Sequence, residues 1–409
     1  MSETLHKPLA SLCSLFTDGD WIESKDQSPK GIRLIQTGNV GVGEFKDRRD
    51  KARFISNATF ARLNCEEIFE GDCLISRLPD PCGRACVIPD CEDRMVTAVD
   101  CTIARFDSSV MIVDYFRYYS QSQPYLSAVE RECTGATRKR ISRKNLGKVE
   151  VPVPPLHEQR RIVSILDEAL GAIGKAKENT ERNLANAKEL FASYLDRVFT
   201  RPNEGWEETT LGEACVLKSG TTVNKALEKS VGDVPYVKVA DMNHEGNESE
   251  IVGSSRYLLQ SDVKPNSVFP VGTTIFPKRG GAILTNKKRL TKVPICCDLN
   301  IMGVIPPDSI NPHFLFFYFV NVDMRELGSG STIPQINNYD IDPLPIFVPS
   351  PEVQKSTVEK LLLLLAEVEK LEHCCKQKLW ALSELKQSIL QKAFTGQLTA
   401  KSSELELVP

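Results

Sequence analysis

The chain contains the same sequence pattern twice, 195 residues apart. The aligned segments are Thr134-Gly-Ala-Thr137 with Ser329-Gly-Ser-Thr332, Val153-Pro-Pro-Leu-His-Glu-Gln159 with Val348-Pro-Ser-Pro-Glu-Val-Gln354, and Leu195-Asp-Arg-Val-Phe-Thr200 with Leu390-Gln-Lys-Ala-Phe-Thr395. The offset holds without a gap from about residue 134 to residue 200. An internal repeat of this length indicates two copies of one structural unit, and therefore a pseudo-symmetric protein that can bind two equivalent objects.

Each repeat includes a stretch with the apolar spacing of a long helix, from 155 to about 200 and from 351 to about 400. Apolar residues recur at alternating steps of three and four, as in a coiled-coil seam. The seam residues are Ile162, Leu166, Ala169, Ile173, Ala176, Leu184, Ala187, Leu190, Tyr194 and Val198, and then Leu361, Leu364, Val368, Leu371, Leu379, Leu382, Leu385, Ile389 and Ala393. About 45 helical residues form a rod of roughly 65–70 Å. We predict that the two helices pair with each other as an antiparallel coiled coil; dimerisation with another chain is the alternative.

The remaining segments predict two mixed α/β domains that share one fold. Short apolar runs bounded by Gly, Pro, Asn and Asp indicate strands. They begin at Ile32, Cys73, Val96, Tyr236, Thr274 and Ile301. Aromatic runs at 113–119 and 314–319 indicate one helix in each domain. The predicted class is therefore α+β, with globular domains at 1–154 and 201–350, long helices at 155–200 and 351–400, and a tail at 401–409.

Composition and cysteine usage limit the class of protein. The net charge is −3 over 409 residues, and no apolar run approaches the ~20 residues that span a bilayer. The first residues contain no basic segment followed by an apolar run, so we expect no signal peptide, a cytoplasmic location and no membrane partner. The thirteen cysteines form no C-x-x-C pair and do not recur in the repeat. We therefore expect reduced thiols and no metal, with zinc as the alternative.

Sequence signatures of catalysis are few. The chain has no G-x-x-x-x-G-K-[ST] phosphate loop, no H-E-x-x-H and no glycine-rich dinucleotide turn. It also lacks the Asn/Asp-Pro-Pro-aromatic tetrapeptide with which amino-methyltransferases hold a flipped base. His157 lies in the first turn of the first long helix, but Glu352 stands at the repeated position. We therefore predict no catalytic residue in this chain; an independent nuclease or methyltransferase would need a site that the sequence does not reveal.

Basic residues concentrate in three segments of the globular regions. Seven lysines or arginines lie between Arg131 and Lys148, and six lie between Lys278 and Lys292 without any acidic residue. A third group surrounds Arg48 and Arg49. Lysine and arginine neutralise DNA phosphates, and arginine and asparagine read base edges in the major groove. A solvated charged surface is the alternative for any single run.

We predict DNA contacts from these clusters and from the polar segment after the second Ser-Gly turn. The candidates are Arg48, Arg49, Arg138, Lys139, Arg140, Arg143, Lys144, Lys278, Arg279, Lys287, Lys288, Arg289 and Asn337. If Lys288 binds a phosphate, Lys288→Ala should weaken binding to all DNA and lower the salt slope by roughly one unit. The Thr134-Gly and Ser329-Gly turns either place hydroxyls on a phosphate or only lead into the next element.

Two segments resemble one protein family. Val151-Pro-Val-Pro-Pro-Leu-His-Glu-Gln-Arg-Arg-Ile-Val163, followed by a long helix, resembles the central region of type I restriction-modification specificity subunits. Ser388-Ile-Leu-Gln-Lys-Ala-Phe-Thr-Gly-Gln-Leu398 resembles the end of their second helix. The resemblance covers the whole chain, although Val353 replaces the glutamate that precedes glutamine in the first copy.

The resemblance implies a non-catalytic DNA-recognition subunit. Each globular domain would read one half of an asymmetric, bipartite double-stranded DNA target, and the helices would set the gap. The implied partners are two methyltransferase subunits and two restriction subunits, which would carry S-adenosylmethionine, ATP and Mg. Glu158, Gln159, Gln354, Phe394 and Gln397 are the residues implied to bind partners. A specificity subunit of a methylation-only or other defence system, and a coiled-coil scaffold that binds proteins, are the alternatives; the acid-free run at 278–292 favours DNA binding over the scaffold.

Overall fold

A computed structural model describes residues 5–135, 139–201, 204–327 and 334–398. The chain forms two compact units, one of Met1–Thr180 with Gln377–Pro409 and one of Glu181–Lys376. Each unit holds one α/β domain and a part of each long helix, Leu156–Thr200 and Pro351–Phe394. The predicted α+β class and the two long helices are confirmed. The predicted segments keep each helix whole, whereas the compact units divide both helices.

Within the described residues, the first domain contains eleven short strands. They are β1 His6–Pro8, β2 Cys13–Asp18, β3 Gln27–Ser28, β4 Ile32–Ile35, β5 Arg53–Ile55, β6 Glu67–Ile68, β7 Cys73–Ser76, β8 Ala85–Val87, β9 Met95–Thr97, β10 Cys101–Phe106 and β11 Glu150–Pro152. Its helices are Asn57–Leu63, Val113–Tyr119, Gln123–Arg131 and Arg143–Leu146. The antiparallel sheet β2-β10-β7-β8 and the mixed sheet β3-β5-β4-β9-β6 form the domain, and β1 pairs with β11 to join its two ends.

The second domain repeats this arrangement. Its strands are β12 Glu207–Thr210, β13 Val216–Ser219, β14 Val234–Val237, β15 Glu250–Ile251, β16 Tyr257–Leu258, β17 Val268–Phe269, β18 Thr274–Pro277, β19 Arg289–Thr291, β20 Ile295–Cys297, β21 Ile301–Ile305 and β22 Pro345–Val348. Its helices are Leu211–Ala214, Pro312–Asn321, Met324–Leu327 and Asn338–Ile341. The sheets are β13-β21-β18-β19-β15 and β16-β14-β20-β17, and β12 pairs with β22.

The aromatic run of each domain is a buried helix, as predicted. Helix Pro312–Asn321 begins where the Asn311 side chain accepts hydrogen bonds from the backbone N–H groups of His313 and Phe314. Proline at the first helical position has no N–H to lose there. Every residue from Phe314 to Phe319 is buried, so this helix has no polar face.

A buried glutamine fixes the start of each long helix. The Gln159 amide accepts from Ile112 N at 2.8 Å and donates to the carbonyl oxygens of Val110 and Pro154 at 2.9 Å. Gln354 repeats the arrangement, accepting from Asn311 N at 2.7 Å and donating to two carbonyl oxygens. Both side chains are almost inaccessible and bind their own domain. We therefore do not carry forward the prediction that Gln159 and Gln354 bind a partner.

In the first unit, the end of the second long helix packs against the start of the first. Leu390 and Ala393 share a core with Ile162 and Leu166. The Phe394 ring lies edge-on to Tyr115 and Tyr119, with centroid distances of 5.3 and 5.2 Å. Phe394, predicted to contact a partner, therefore packs within its own unit.

In the second unit, the end of the first long helix packs against the start of the second. Leu195 and Phe199 share a core with Val358 and Leu361. The Phe199 ring contacts Phe314 at 5.1 Å and Tyr318 at 5.9 Å. In both units the helices pair start to end, so the predicted antiparallel pairing is confirmed, and the end of one repeat's helix completes the core of the other repeat's domain.

The predicted seam is wrong at three positions. Leu190 is 61% exposed, and Leu371 and Leu385 are also exposed. In the second unit Phe191, Leu195 and Phe199, which are not in the predicted seam, are buried or packed against the core. They follow the predicted seam residue Ala187 at steps of four. A helix that faces both a partner helix and a globular domain needs a wider apolar face than a coiled-coil seam, so spacing alone does not identify the buried row.

We expect Phe394→Ala and Phe199→Ala to destabilise different units. Each removes a half-buried or buried ring, and we expect losses of about 3 kcal/mol, the lower end for Phe→Ala in a core. In hydrogen-exchange measurements Phe394→Ala should deprotect helix Val113–Tyr119, and Phe199→Ala should deprotect helix Pro312–Asn321. Trp380→Ala, at an exposed position, is the control. If hydrogen-exchange protection of helix Val113–Tyr119 is unchanged in Phe394→Ala, Phe394 does not stabilise the first domain and only its predicted role in partner binding stands.

Candidate nucleic-acid interface

The sheet that contains β10 in the first domain and the sheet that contains β21 in the second have one edge that is built in the same way. It lies where β2 and β7 end and β10 begins, and where β13 and β18 end and β21 begins in the second domain. Gly19 N donates to Cys101 O and Gly220 N to Ile301 O, both at 2.9 Å. A Cβ at Gly19 would lie 2.3 Å from Thr97 O, and one at Gly220 would lie 2.0 Å from Asp298 O. Both turns therefore require glycine because the chain approaches neighbouring carbonyls closely.

A polar segment is attached to this edge in each domain by backbone hydrogen bonds. Ile141 N donates to Arg77 O at 3.1 Å, and Ile336 N donates to Lys278 O at 2.9 Å. Ile141 and Ile336 are fully buried. Their neighbours therefore point away from the core, as extended chains alternate. We call residues 139–144 the first edge segment and residues 334–339 the second edge segment.

Each edge carries a buried cation at the corresponding position. Arg77 Nε lies 3.1 Å from a carboxylate oxygen of Asp18, and Lys278 Nζ donates to Ser219 Oγ at 2.8 Å. Burial lowers the pKa of both groups. Lys278, predicted to contact DNA, is therefore bound inside its domain. Arg77 was not predicted from the sequence. It fills the same position, and the alignment of Gly71 with Gly272, extended by six residues, pairs it with Lys278.

Two further predicted contacts in the acid-free run are directed into the domain. Lys288 is 6% exposed, and its ammonium donates to Asn286 Oδ1 at 2.8 Å and to Val322 O at 2.7 Å. Arg289 donates to the carbonyl oxygens of Asn247, Lys288 and Met242. Since these groups are used by the protein itself, we withdraw Lys288 and Arg289 as phosphate contacts, together with the salt-slope prediction for Lys288→Ala.

The first edge segment displays cations to solvent. Lys139 pairs with Glu130, and Arg140 pairs with Asp100 at 3.1 Å. Arg143 donates to Thr17 Oγ1 at 3.1 Å, which places it beside the end of β2. Lys144 is exposed, and it makes no ion pair within the described ranges. Four of the predicted cations therefore lie on one segment of one edge, while Arg138 lies outside the described residues.

Arg48 and Arg49 are exposed but have a different environment. Arg49 lies 3.0 Å from carboxylate oxygens of both Asp47 and Asp93. The same carboxylates bind the buried Arg33. These groups line a cavity of about 350 Å³ that also includes Asp90 and Glu92. Nearby carboxylates offset the charge of Arg49, so its attraction for a phosphate is weaker than that of Lys144.

The second edge segment is polar rather than cationic. Gln335 Nε2 donates to Asn337 Oδ1, and Asn337 Nδ2 donates to Tyr339 Oη at 2.8 Å. Arg279, which forms a backbone bridge with Gln335, has an exposed side chain, whereas Lys287 donates to Asn243 Oδ1. Asn337 was predicted from the sequence, whereas Gln335 and Tyr339 were not. The offset of 195 aligns these two residues with Arg140 and Lys144, which is the signal that could have found them.

Two residues predicted to bind partners remain accessible. Glu158 lies on the first turn of helix Leu156–Thr200 with Arg161 Nη1 4.0 Å from its carboxylate, and Gln397 is exposed beyond the second long helix. All thirteen cysteines are free thiols, and burial raises the pKa of several of them, including Cys86 and Cys101 to about 12. In the described part of the chain, no cluster of His, Cys, Asp or Glu could hold a metal ion, and no helix is long and apolar enough to cross a membrane.

Residues 19–181 and 203–379 match the family described as type I restriction modification DNA specificity domain. The chain belongs to this family. It is 23% identical over 309 residues to the type I restriction enzyme StySPI specificity subunit of Salmonella potsdam, a match that covers 70% of this chain and 66% of that subunit, just under two-thirds. It is 24% identical over 324 residues to the EcoKI specificity subunit of Escherichia coli, covering 70% and 66%.

Two solved structures are similar in fold to this chain. One is from work on complex assembly and conformational transition of the type I R-M system, with a TM-score of 0.78 and 17% identity over 96% of this chain and 98% of that chain. The HsdS subunit of Thermoanaerobacter tengcongensis gives a TM-score of 0.59 and 17% identity over 97% and 98%. These likenesses establish two α/β domains with long paired helices.

The burial of Lys288 predicts a pH dependence of stability in this specificity-family chain. Burial lowers the pKa of the Lys288 ammonium from 10.5 to about 8. At a pH between these two pKa values, Lys288 has lost its proton in the folded chain but keeps it in the unfolded chain. The free energy of unfolding therefore increases as the pH rises through this range. Relative to Lys288→Met, the wild type should gain about 2 kcal/mol in denaturant unfolding between pH 7 and pH 10. Lys264→Met, at an exposed lysine of the same unit, is the control. A pH-independent difference for Lys288→Met would mean that Lys288 stays solvated.

Proposed function

We propose that this chain is the DNA sequence-specificity subunit of a type I restriction-modification complex and that each domain reads one half of an asymmetric, bipartite DNA target. The chain is non-catalytic in this proposal, and its two sheet edges face the two half-sites. The observation that carries the proposal is the duplicated edge, which has the same backbone attachment and different side chains in the two domains. An asymmetric bipartite target requires two recognition domains that share one fold but present different side chains to the DNA.

The exposed cations supply the sequence-independent part of binding. In the first domain these are Lys139, Arg140, Arg143 and Lys144, with Arg48 and Arg49 as weaker candidates. In the second domain Arg279 is exposed and Lys287 is half-buried, and Asn337 is the predicted polar contact. Arg138, in the segment outside the described residues, stays in the proposal on sequence alone. Phosphate contacts of this kind fix the register of a protein on DNA and make affinity depend on salt.

The long helices supply the second part of the function. At about 1.5 Å per residue, helices of 45 and 44 residues are each roughly 66–68 Å long. We propose that these helices set the length of the gap between the half-sites and bind the partner subunits. Leu363 is 70% exposed in the second unit and Trp380 is 69% exposed in the first, which supports protein contacts along the second helix. Glu158 and Gln397 are the predicted partner contacts that remain.

The partners in this proposal are two methyltransferase subunits and two restriction subunits. S-adenosylmethionine, ATP and Mg belong to those subunits. The solved structure with the higher TM-score belongs to a study of type I complex assembly, and the curated relatives are described as specificity subunits of restriction enzymes. This assignment gives the chain a role in choosing the DNA sequence and leaves the chemistry to its partners.

Exchange of the first domain tests the proposal. The full chain is co-expressed with the methyltransferase subunit encoded beside it, and methylated sites in the host DNA are mapped by single-molecule sequencing. We expect a bipartite motif with a fixed gap. Replacing residues 1–154 by the corresponding domain of another specificity subunit should change one half of the motif and leave the other half and the gap intact. Unmodified DNA despite a stable complex would reject the proposal in favour of a scaffold.

Salt dependence tests the exposed cations separately. In the complex with the methyltransferase subunit, Arg143→Gln and Lys144→Gln should each weaken binding to specific and random DNA alike. Each should also lower the slope of log affinity against log salt by roughly one unit. Lys264→Gln, at an exposed lysine outside both edge segments, should leave the slope unchanged. Equal slopes for all three variants would remove the first edge segment from the DNA interface.

A further inference from the structure

The second edge segment holds an ordered chain of polar side chains. Gln335 Nε2 donates to Asn337 Oδ1 at 2.5 Å, and Asn337 Nδ2 donates to Tyr339 Oη at 2.8 Å. Tyr339 is 66% exposed, so the chain ends in solvent. We call Gln335, Asn337 and Tyr339 the polar triad. Since its members already hold one another, binding through them requires little further ordering of side chains.

The backbone under the triad is fixed on both sides. Arg279 and Gln335 form an antiparallel bridge, and Gly280 N donates to Pro334 O at 2.8 Å. Ile336 is buried between Gln335 and Asn337, and its N–H donates to Lys278 O. Asn337 N donates to Asp340 Oδ2 at 2.8 Å, which fixes the next turn. Gln335 and Asn337 are therefore presented on one side of a rigid segment.

The hydrogen bond to Asn337 leaves Gln335 with a defined set of free groups. One amide hydrogen of Gln335 is used, while its second hydrogen and its carbonyl oxygen have no hydrogen-bond partner among the residues that the structure describes. One donor beside one acceptor is the complement of the adenine major-groove edge, which offers the N6 amino group and the N7 acceptor. Guanine offers two acceptors there, N7 and O6, so its O6 would oppose the glutamine carbonyl.

The first domain has different chemistry on the same framework. The offset of 195 aligns Gln335 with Arg140, Asn337 with Ser142 and Tyr339 with Lys144. Both segments are attached through the isoleucine N–H at the same point of the edge. If this point bound only phosphates, cations would suit both domains equally well. An amide and phenol triad in place of cations favours base recognition in the second domain.

We propose that Gln335 recognises an adenine in the half-site read by the second domain, with Asn337 and Tyr339 as positioning residues. The inference rests on the proposed function, because it assumes that the second sheet edge faces DNA. Asn337 orients the Gln335 amide, and Tyr339 holds the Asn337 amide in turn. Arg279, on the bridged strand beside Gln335, contributes the charge that draws the edge to the DNA backbone.

Motif mapping with point variants tests this assignment. In the complex of full chain and methyltransferase subunit, Gln335→Ala should relax one adenine position in the second half-site. Its preference for adenine over other bases should fall by roughly ten- to a hundred-fold, as for loss of a bidentate base contact. Gln335→Met preserves the side-chain volume and should relax the same position, which separates base recognition from any loss of folding. Gln335→Glu, which can only accept hydrogen bonds, should move the preference towards cytosine, whose N4 amino group donates.

The positioning residues have a distinct signature. Tyr339→Phe removes the hydroxyl that accepts from Asn337, so it should lower the adenine preference at the same position by a smaller factor without shifting the position. Gln260→Ala, at an exposed glutamine of the same domain outside the second edge segment, is the matched control and should leave the motif unchanged. The domain exchange described above identifies which half of the motif belongs to the second domain.

The outcomes separate the two proposals. A wild-type complex that yields no bipartite motif rejects the proposed function itself. A bipartite motif that is unchanged in Gln335→Ala and Gln335→Met rejects the assignment of Gln335 and leaves the proposed function standing. Relaxation in the half-site of the first domain, or at a position that is not adenine in the wild type, overturns the assignment as well.

Discussion

The structure depends on the contact between the end of each long helix and the domain of the opposite repeat. Phe394 ends the second helix among the aromatic residues of the first domain, and Phe199 ends the first helix among those of the second. Neither domain therefore has a complete core from its own repeat. Burial of the two rings couples the pairing of the helices to the folding of the domains, since a Phe side chain contributes several kcal/mol when it is removed from water.

Two buried glutamines add direction to this apolar contact. The side chains of Gln159 and Gln354 each accept a hydrogen bond from a backbone N–H of the loop that precedes the aromatic helix. Each also donates to the carbonyl oxygen of a proline that precedes the long helix. A hydrophobic contact has no preferred angle, whereas a buried amide loses its partners if the helix rotates. The combination fixes where each long helix leaves its domain, and it does so in the same way in both repeats.

The repeat and the helical period predicted most of the fold, because they depend on local sequence. They predicted two long helices, their antiparallel pairing and the aromatic helix of each domain. The repeat and the helical period did not predict which residues of a given type are buried and which are exposed. Lys287 and Lys288 are adjacent and chemically alike, yet only Lys288 lies inside the domain, where Asn286 and Val322 bind it. Leu190 and Phe191 differ likewise, since the face that packs against the domain is decided by tertiary contacts.

The attachment of the edge segments has a consequence for how such a protein can evolve. Each segment is held to its sheet by main-chain groups and one buried isoleucine, Ile141 or Ile336. Main-chain hydrogen bonds do not depend on side-chain identity, so the flanking residues can be replaced at little cost in stability. Stabilising residues and solvent-facing residues therefore occupy alternate positions of the same short segment. Under the proposed function, such separation would allow new DNA specificities to arise by single substitutions while the scaffold that presents them stays unchanged.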